Sequence, residues 1–268
     1  MRPLPGRLVL LGHPVSHSLS PRFQNAALRA AGIPLEYEAL DVAPEALRET
    51  VAQLAAVAAS GNVTIPHKES FATLCARRSA IAERCGAVNT FWHEDGELVG
   101  DNTDVGGVDA IALALLGEAR RSATVALIGA GGSAAAVVAA VERWGSARVR
   151  LYNRNVDRAQ ALASRFGAVV DVVPSVDAAL DGTTLVINAT PVGLRDDALP
   201  VRIDALPREA AVFDLVYRSG ETAWVRAARQ AGHRAADGEG MLVEQGALSF
   251  ERWFGVQPDR DAMWRAMH

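Results

Sequence analysis

The sequence predicts an α/β fold in two domains, each organised on a sheet that is parallel in the main. Three observations carry this reading. Short apolar runs alternate with helical stretches from the first residues onward, the pattern of βαβ units and a parallel sheet. An Asp95-Gly96 pair lies between two strand-like runs, a hairpin signal that makes the first sheet mixed, though mainly parallel. The apolar run Thr124-Val125-Ala126-Leu127-Ile128 then leads directly into a glycine-rich loop and a long alanine/valine helix. A chain of 268 residues accommodates two domains, and with 50% hydrophobic residues it has ample material for a core.

Composition excludes several classes. A net charge of −4 and a pI near 5.9 argue against a polyanion-binding surface, so nucleic acid is not an expected partner. No apolar run reaches the ~18–20 residues of a membrane span. The N-terminal stretch lacks the apolar h-region of a signal peptide, and a cytoplasmic protein is expected. Cys75 and Cys85 have no metal-ligand spacing; they read as two reduced thiols, and no metal is expected.

In chain order, Leu8-Val9-Leu10-Leu11 reads as a buried strand stopped by Gly12. Pro21 suits the first turn of a helix over 22–31, with Ser20 as its N-cap and Gly32 at its end. Ser18 and Ser20 also bring two hydroxyls to a helix start, a setting for a carboxylate. A strand over 35–40, a helix over 44–58 and a strand over 62–65 complete β-α-β-α-β. Helices over 69–74 and up to about residue 84 follow, then strands over 86–92 and 98–100. Asn102, Thr103 and Asp104 start a helix over 105–116, where Asp104 complements the helix dipole.

Beyond a linker at 117–123, the strand 124–128 runs into Gly129-Ala130-Gly131-Gly132-Ser133-Ala134 and a helix ending near Trp144-Gly145. This is the G-x-G-x-x-A form of the dinucleotide fingerprint, with strand and helix in the required places, and it makes the second domain Rossmann-type. The next strand, 148–152, ends in Asn153-Arg154-Asn155, with Arg158 one helical turn on. An NAD site would put an acid near this strand end, but the nearest one, Asp157, lies inside the helix. Arg154 and Arg158 instead suit a 2′-phosphate, which favours NADP. Strands over 168–173, 185–189 and 211–215 follow, with helices over 221–231, from 241 to 253 or 254, and over 260–267. A C-terminal helix folding back onto the first sheet would group 1–104 with 240–268 against 105–239, and leave a cleft between the two domains for ligands.

Lys68 is the only lysine among 27 basic residues; all the others are arginine. Arginine does not give up its proton in a protein, whereas lysine can be tuned into a proton donor or acceptor. Lys68 follows the Gly61-Asn62-Val63-Thr64-Ile65-Pro66 strand end, and ligands of open α/β sheets gather outside carboxyl ends of strands. Acid–base work is therefore expected of Lys68, with Asp104 as its carboxylate partner.

Several stretches together resemble the shikimate dehydrogenase family, nearly end to end. They are Gly12-His13-Pro14-Val15-Ser16-His17-Ser18-Leu19-Ser20-Pro21, Asn62-Val63-Thr64-Ile65-Pro66-His67-Lys68, Gly86-Ala87-Val88-Asn89-Thr90, Asp101-Asn102-Thr103-Asp104, the glycine loop, Asn153-Arg154, Asn188-Ala189-Thr190-Pro191, Asp214-Leu215-Val216-Tyr217 and Gly240-Met241-Leu242-Val243-Glu244-Gln245-Gly246-Ala247. The resemblance implies an N-terminal substrate domain beside an NADP domain, and reversible reduction of 3-dehydroshikimate to shikimate on the way to chorismate and aromatic amino acids. It implies that Ser18, Ser20 and Tyr217 hold the substrate carboxylate, and that Thr64, Lys68, Asn89, Asp104 and Gln245 hold the ring hydroxyls. It further implies that NADP lies along Gly129, Ala130, Gly131, Gly132 and Ser133, with its adenosine phosphate near Asn153, Arg154, Asn155 and Arg158. Leu215 and Gly238 would border the nicotinamide. A small-molecule substrate is then the expected partner, and a monomer or homodimer the expected state.

The chain departs from the family pattern at three places. Gln24 precedes Asn25 where histidine is frequent, Ala135 stands where the nucleotide loop often has arginine, and Arg218-Ser219-Gly220-Glu221-Thr222 replaces an Asn-Pro-like turn. These leave room for a relative acting on quinate or an amino-substituted analogue, or tolerating NAD. A non-catalytic nucleotide sensor on the same fold is the alternative from another class; the presence of both Lys68 and Asp104 speaks against it.

Overall fold

A computed structural model of the chain describes residues 3–218 and 220–268. The contacts divide the chain into two compact units, Met1–Thr103 with Leu242–His268, and Asp104–Met241. In chain order the first stretch contains β1 (Leu8–Gly12), α1 (Ser20–Ala30), β2 (Tyr37–Asp41), α2 (Leu47–Ala55), β3 (Ser60–Val63), α3 (Lys68–Ala72), β4 (Arg77–Arg78), α4 (Ala80–Cys85), β5 (Thr90–Glu94) and β6 (Glu97–Asp101). The second contains α5 (Asp104–Leu116), β7 (Thr124–Ile128), α6 (Gly132–Glu142), β8 (Arg148–Tyr152), α7 (Val156–Phe166), β9 (Val170–Val172), α8 (Val176–Leu180), β10 (Leu185–Asn188), β11 (Ala211–Asp214), α9 (Ala223–Gln230) and β12 (Ala235–Ala236). Then come α10 (Gly238–Phe254) and α11 (Arg260–Arg265).

The first sheet is mixed, in the order β2-β1-β3-β5-β6-β4. β1 pairs in parallel with β2 and β3, and β5 is antiparallel to both β3 and β6. Asp95 and Gly96 both have positive φ, as a tight hairpin requires. β1 is buried on both faces. Leu8 and Leu10 meet Phe23, Phe250, Trp253, Phe254 and Met263, whereas Val9 and Leu11 meet Val51, Leu54, Phe71 and Phe91. That two-sided burial explains why β1 reads as an unbroken apolar run.

The second sheet is parallel throughout, in the order β12-β11-β10-β7-β8-β9. Strand order reverses at β7, so the loops after β7 and β10 meet at the switch point where doubly wound sheets take their ligands.

Several expected elements shift. Ser20 is not the N-cap of α1: the helix begins at Ser20 and its N-cap is Leu19. The Ser18 hydroxyl accepts from the Ser20 amide at 3.2 Å, so the oxygen at this helix start comes from the serine two residues earlier. The 44–58 helix splits into a 3-10 turn at Pro44–Ala46 and α2. The third strand runs Ser60–Val63 and has ended before the cis Ile65-Pro66 bond. Gly86, with φ 63°, closes α4, and the next strand starts only at Thr90. β4 and β12 escape periodicity because each is two residues long.

Candidate active site

Within the first unit, the candidate residues gather at the carboxyl ends of β1 and β3. The Thr64 amide bonds to the Leu11 carbonyl at 2.8 Å and the His13 amide to the Ile65 carbonyl at 3.0 Å, which ties the two strand ends together. Gly12 is needed there, since a Cβ would lie 2.5 Å from the Thr64 methyl. His67 is buried, its ring nitrogen 2.6 Å from the Val42 carbonyl. Lys68 follows as the first residue of α3, half-buried, and its carbonyl accepts from the Val88 amide at 2.9 Å. That bond sets Lys68 beside Asn89 by way of the backbone. Ser18 is half-buried and Ser20 buried at the start of α1.

Asn89 is buried in a polar cluster. Its Nδ2 donates to Gln245 Oε1 at 3.2 Å and to Thr103 Oγ1 at 2.9 Å, and its Oδ1 accepts from the Thr103 amide at 2.7 Å. Behind it, Asn62 Nδ2 donates to Ser249 Oγ at 2.8 Å and to the Asn89 carbonyl, while Tyr37 donates to Asn62 Oδ1 at 2.8 Å. Ser249 donates in turn to the Gln245 carbonyl at 2.9 Å. Buried amides survive only when paired, so this cluster orients Asn89 and Gln245 from behind. Asp101 fixes the next loop by accepting from Ser79 Oγ, the Asn102 amide and Arg252 Nε. Asp104, buried, comes directly after this loop and heads α5. It is grouped with the second unit and Lys68 with the first.

In the second unit the glycine loop leaves β7 as expected. Gly129 has φ 112°, and a Cβ on it would stand 2.8 Å from the Ala189 carbonyl oxygen, so no other residue fits. Gly131 is the N-cap of α6 and makes no side-chain capping bond. A Cβ on Gly131 or Gly132 would meet nothing within 4 Å, and the first turn of α6 carries no acid. The backbone here is open to an approaching anion at a helix N-terminus, as a dinucleotide pyrophosphate requires. Ala130 and Ser133 are half-buried beside it.

The Gly129 amide bonds to the Tyr152 carbonyl at 2.9 Å, which brings the end of β8 alongside. There Asn153 Nδ2 donates to the Asn155 carbonyl, and Asn155 Oδ1 accepts from the Arg158 amide as the cap of α7. The Asn155 side chain is thus already engaged in starting its helix. Arg154 and Arg158 are exposed, and neither enters an ion pair among the described residues. The residues present fit NADP. On the far side of β7, Leu215 and Tyr217 are half-buried after β11, and the Gly238 amide bonds to the Val216 carbonyl at 2.9 Å. A Cβ on Gly238 would lie 2.4 Å from the Leu215 oxygen.

Residues the motifs contained without a stated role also appear. Asn62 and Thr103, together with Ser249 just beyond the last motif, back Asn89 and Gln245, and Asp214 and Asn188 brace the Leu215 turn. Their side chains meet over long sequence separations, which periodicity does not report. Gln24, one of the departures, donates to the Gly246 carbonyl at 3.0 Å and so ties α1 to α10.

Strand order and a fingerprint loop at the switch point of the parallel sheet, together with the mixed first sheet, define the class: a two-unit α/β protein with a Rossmann-type fold. Residues 10–91 match the family described as the shikimate dehydrogenase substrate binding domain, 111–193 that of shikimate/quinate 5-dehydrogenase, and 238–268 the shikimate 5'-dehydrogenase C-terminal domain. The chain is 45% identical over 268 residues to a shikimate dehydrogenase (NADP(+)) of Rubrobacter xylanophilus, covering 96% of this chain and 94% of the relative. The crystal structure of the Aquifex aeolicus shikimate dehydrogenase superposes with a TM-score of 0.91 at 34% identity, covering 98% and 97% of the two chains. That of the Thermus thermophilus shikimate 5-dehydrogenase, in complex with NADP(H) and shikimate, does so with 0.89 at 38%, covering 97% and 98%. The chain belongs to the shikimate dehydrogenase family.

Proposed function

We propose that the chain catalyses the reversible, NADP-dependent reduction of 3-dehydroshikimate to shikimate, a step toward aromatic amino acids. The observation that carries this is the single lysine of the chain, half-buried at the start of α3 where the ends of β1 and β3 are tied together. When bound, NADP supplies hydride chemistry at its nicotinamide. The chain's own residues then have separate tasks. Ser18, Ser20 and Tyr217 hold the ring carboxylate. Thr64, Asn89 and Gln245 hold ring hydroxyls, the last two oriented by the buried cluster behind them. Lys68 stabilises the negative charge that develops on the ketone oxygen and delivers a proton to it. Asp104 holds the Lys68 ammonium and a neighbouring hydroxyl. Gly129 to Ser133 cradle the pyrophosphate, Arg154 and Arg158 hold the 2′-phosphate with Asn153 and Asn155 alongside, and Leu215 and Gly238 border the nicotinamide. The protein works in the cytoplasm as a monomer or homodimer.

The test is appearance of reduced cofactor with shikimate or quinate, each with NADP or NAD. Shikimate with NADP is expected to be the fastest pair; failure to oxidise either acid would sink the reading. An arginine at position 68 keeps the charge but not the transferable proton. Lys68→Arg is therefore expected to retain shikimate binding and lose about 10²-fold or more in turnover. Near-normal kcat in that variant would falsify the acid–base role.

A further inference from the structure

The turn that follows β11 is held by one carboxylate. Asp214, the last residue of β11, is 0% exposed. Its Oδ1 accepts from Asn188 Nδ2 at 2.8 Å and from the Val216 amide at 3.1 Å, and its Oδ2 accepts from the Thr222 hydroxyl at 2.9 Å. Each donor belongs to a different segment. Asn188 ends β10, and its Oδ1 takes the Thr190 amide and hydroxyl of the loop beside the glycine fingerprint. Val216 lies in the turn itself, and Thr222 is the N-cap of α9, accepting from the Val225 amide at 3.3 Å. The backbone completes the brace: the Leu215 amide bonds to the Asn188 carbonyl and the Gly238 amide to the Val216 carbonyl, both at 2.9 Å.

Burial penalises a charge here and pushes the Asp214 carboxyl above the usual range, against the three bonds that pull it down. The hydrogen bonds to it come from an amide, a backbone N–H and a hydroxyl. An asparagine of the same shape would be cheaper to bury, but it has one acceptor oxygen where three donors converge on two. Packing alone gives no reason for a carboxylate at this position. Holding three loop segments at once does.

We propose that Asp214 is a positioning residue of the dehydrogenase: by fixing the 215–217 turn against β10 and α9 it presents Tyr217 for the substrate carboxylate. This rests on the role given to Tyr217 above. Asp214→Asn is expected to raise KM for shikimate about tenfold, the scale of one lost charge-assisted bond. Kd for shikimate measured by calorimetry should rise in parallel. A merely structural role would lower the melting temperature and the active fraction and leave both shikimate constants unchanged, and that result overturns the proposal. In the Tyr217→Phe background, Asp214→Asn should add nothing further; an additive loss also overturns it. Should Asp214→Asn fail to fold, Thr222→Val removes one donor and should raise KM about threefold, with Thr222→Ser restoring it; an unchanged KM in Thr222→Val overturns the proposal. Unchanged KM in Tyr217→Phe alone overturns the Tyr217 assignment and this proposal with it. Raised KM in Tyr217→Phe beside unchanged KM in Asp214→Asn overturns this proposal alone.

Discussion

Arg154 and Arg158 stand exposed where the end of β8 adjoins the glycine loop, and neither enters an ion pair among the described residues. A guanidinium facing a phosphate makes forked, charge-assisted bonds, each contributing about 1.5–3 kcal/mol. Arg154→Ala should therefore raise KM for NADP by roughly tenfold or more and leave KM for NAD unchanged, in steady-state assays with each cofactor. An equal loss with both cofactors would place the residue away from the 2′-phosphate. Cys75 shows the opposite kind of residue. Burial pushes its thiol up to about 12, with Arg78 acting weakly the other way. The thiolate is the reactive form, so native Cys75 should alkylate with iodoacetamide at pH 8 at least about 10²-fold more slowly than in the urea-unfolded chain.

Among the elements, α10 has the most to do. It supplies Gln245 to the polar cluster, and it supplies Phe250, Trp253 and Phe254 to the core beside β1 and α1. It packs closely because Gly246 faces Phe23: a Cβ there would lie 2.4 Å from a ring carbon of that buried side chain. An alanine at a mid-helix glycine gains about 1 kcal/mol of helix propensity, but overpacking a buried ring costs about 1–3 kcal/mol. The second effect should win: Gly246→Ala is expected to lower the melting temperature, and a rise would show that Phe23 has room to move. The 215–217 turn has an outer tie as well. Arg218 Nη2 reaches Asp197 at 2.6 Å and Nη1 the Asp196 carbonyl at 2.8 Å, joining the loops after β10 and β11. Arg218 belongs to the segment that departs from the family's turn, of which Ser219 lies outside the described residues. This pair is exposed and contributes at most about 1 kcal/mol, so Asp214 inside it bears the greater part.

At the scale of the whole molecule, stability should depend on alkali through Cys75. A thiol whose folded pKa is raised contributes stability that is complete below its unfolded value of 9.0 and lost as pH climbs toward about 12. Unfolding free energies of the wild type from urea titrations should therefore fall faster above pH 9 than those of Cys75→Ser, by at most about 1.4 kcal/mol per pH unit. Parallel slopes would show that the thiol titrates normally. Asp214 and Asp237, both raised by burial, have the same sign: their contribution is present below the ordinary carboxylate range and is lost as pH rises through their raised values.

The two sheets and most of their helices could be read directly from the residues. Strand 124–128, strand 148–152 and the glycine loop came out as expected because apolar runs, alternation and the φ 112° that only glycine tolerates at Gly129 are local properties. Arg154, Arg158 and Lys68 were visible for the same reason: each is chemically conspicuous in its own short stretch. The residues that orient the site were not. Asn62 meets Ser249 across 187 positions, and Asp214 gathers its donors from three segments. Pattern along a chain expresses which backbone shapes and burial faces a segment prefers. Which buried polar groups satisfy one another depends on where folding brings distant segments together, and that is settled only when the sheets close and unpaired donors have nowhere else to go.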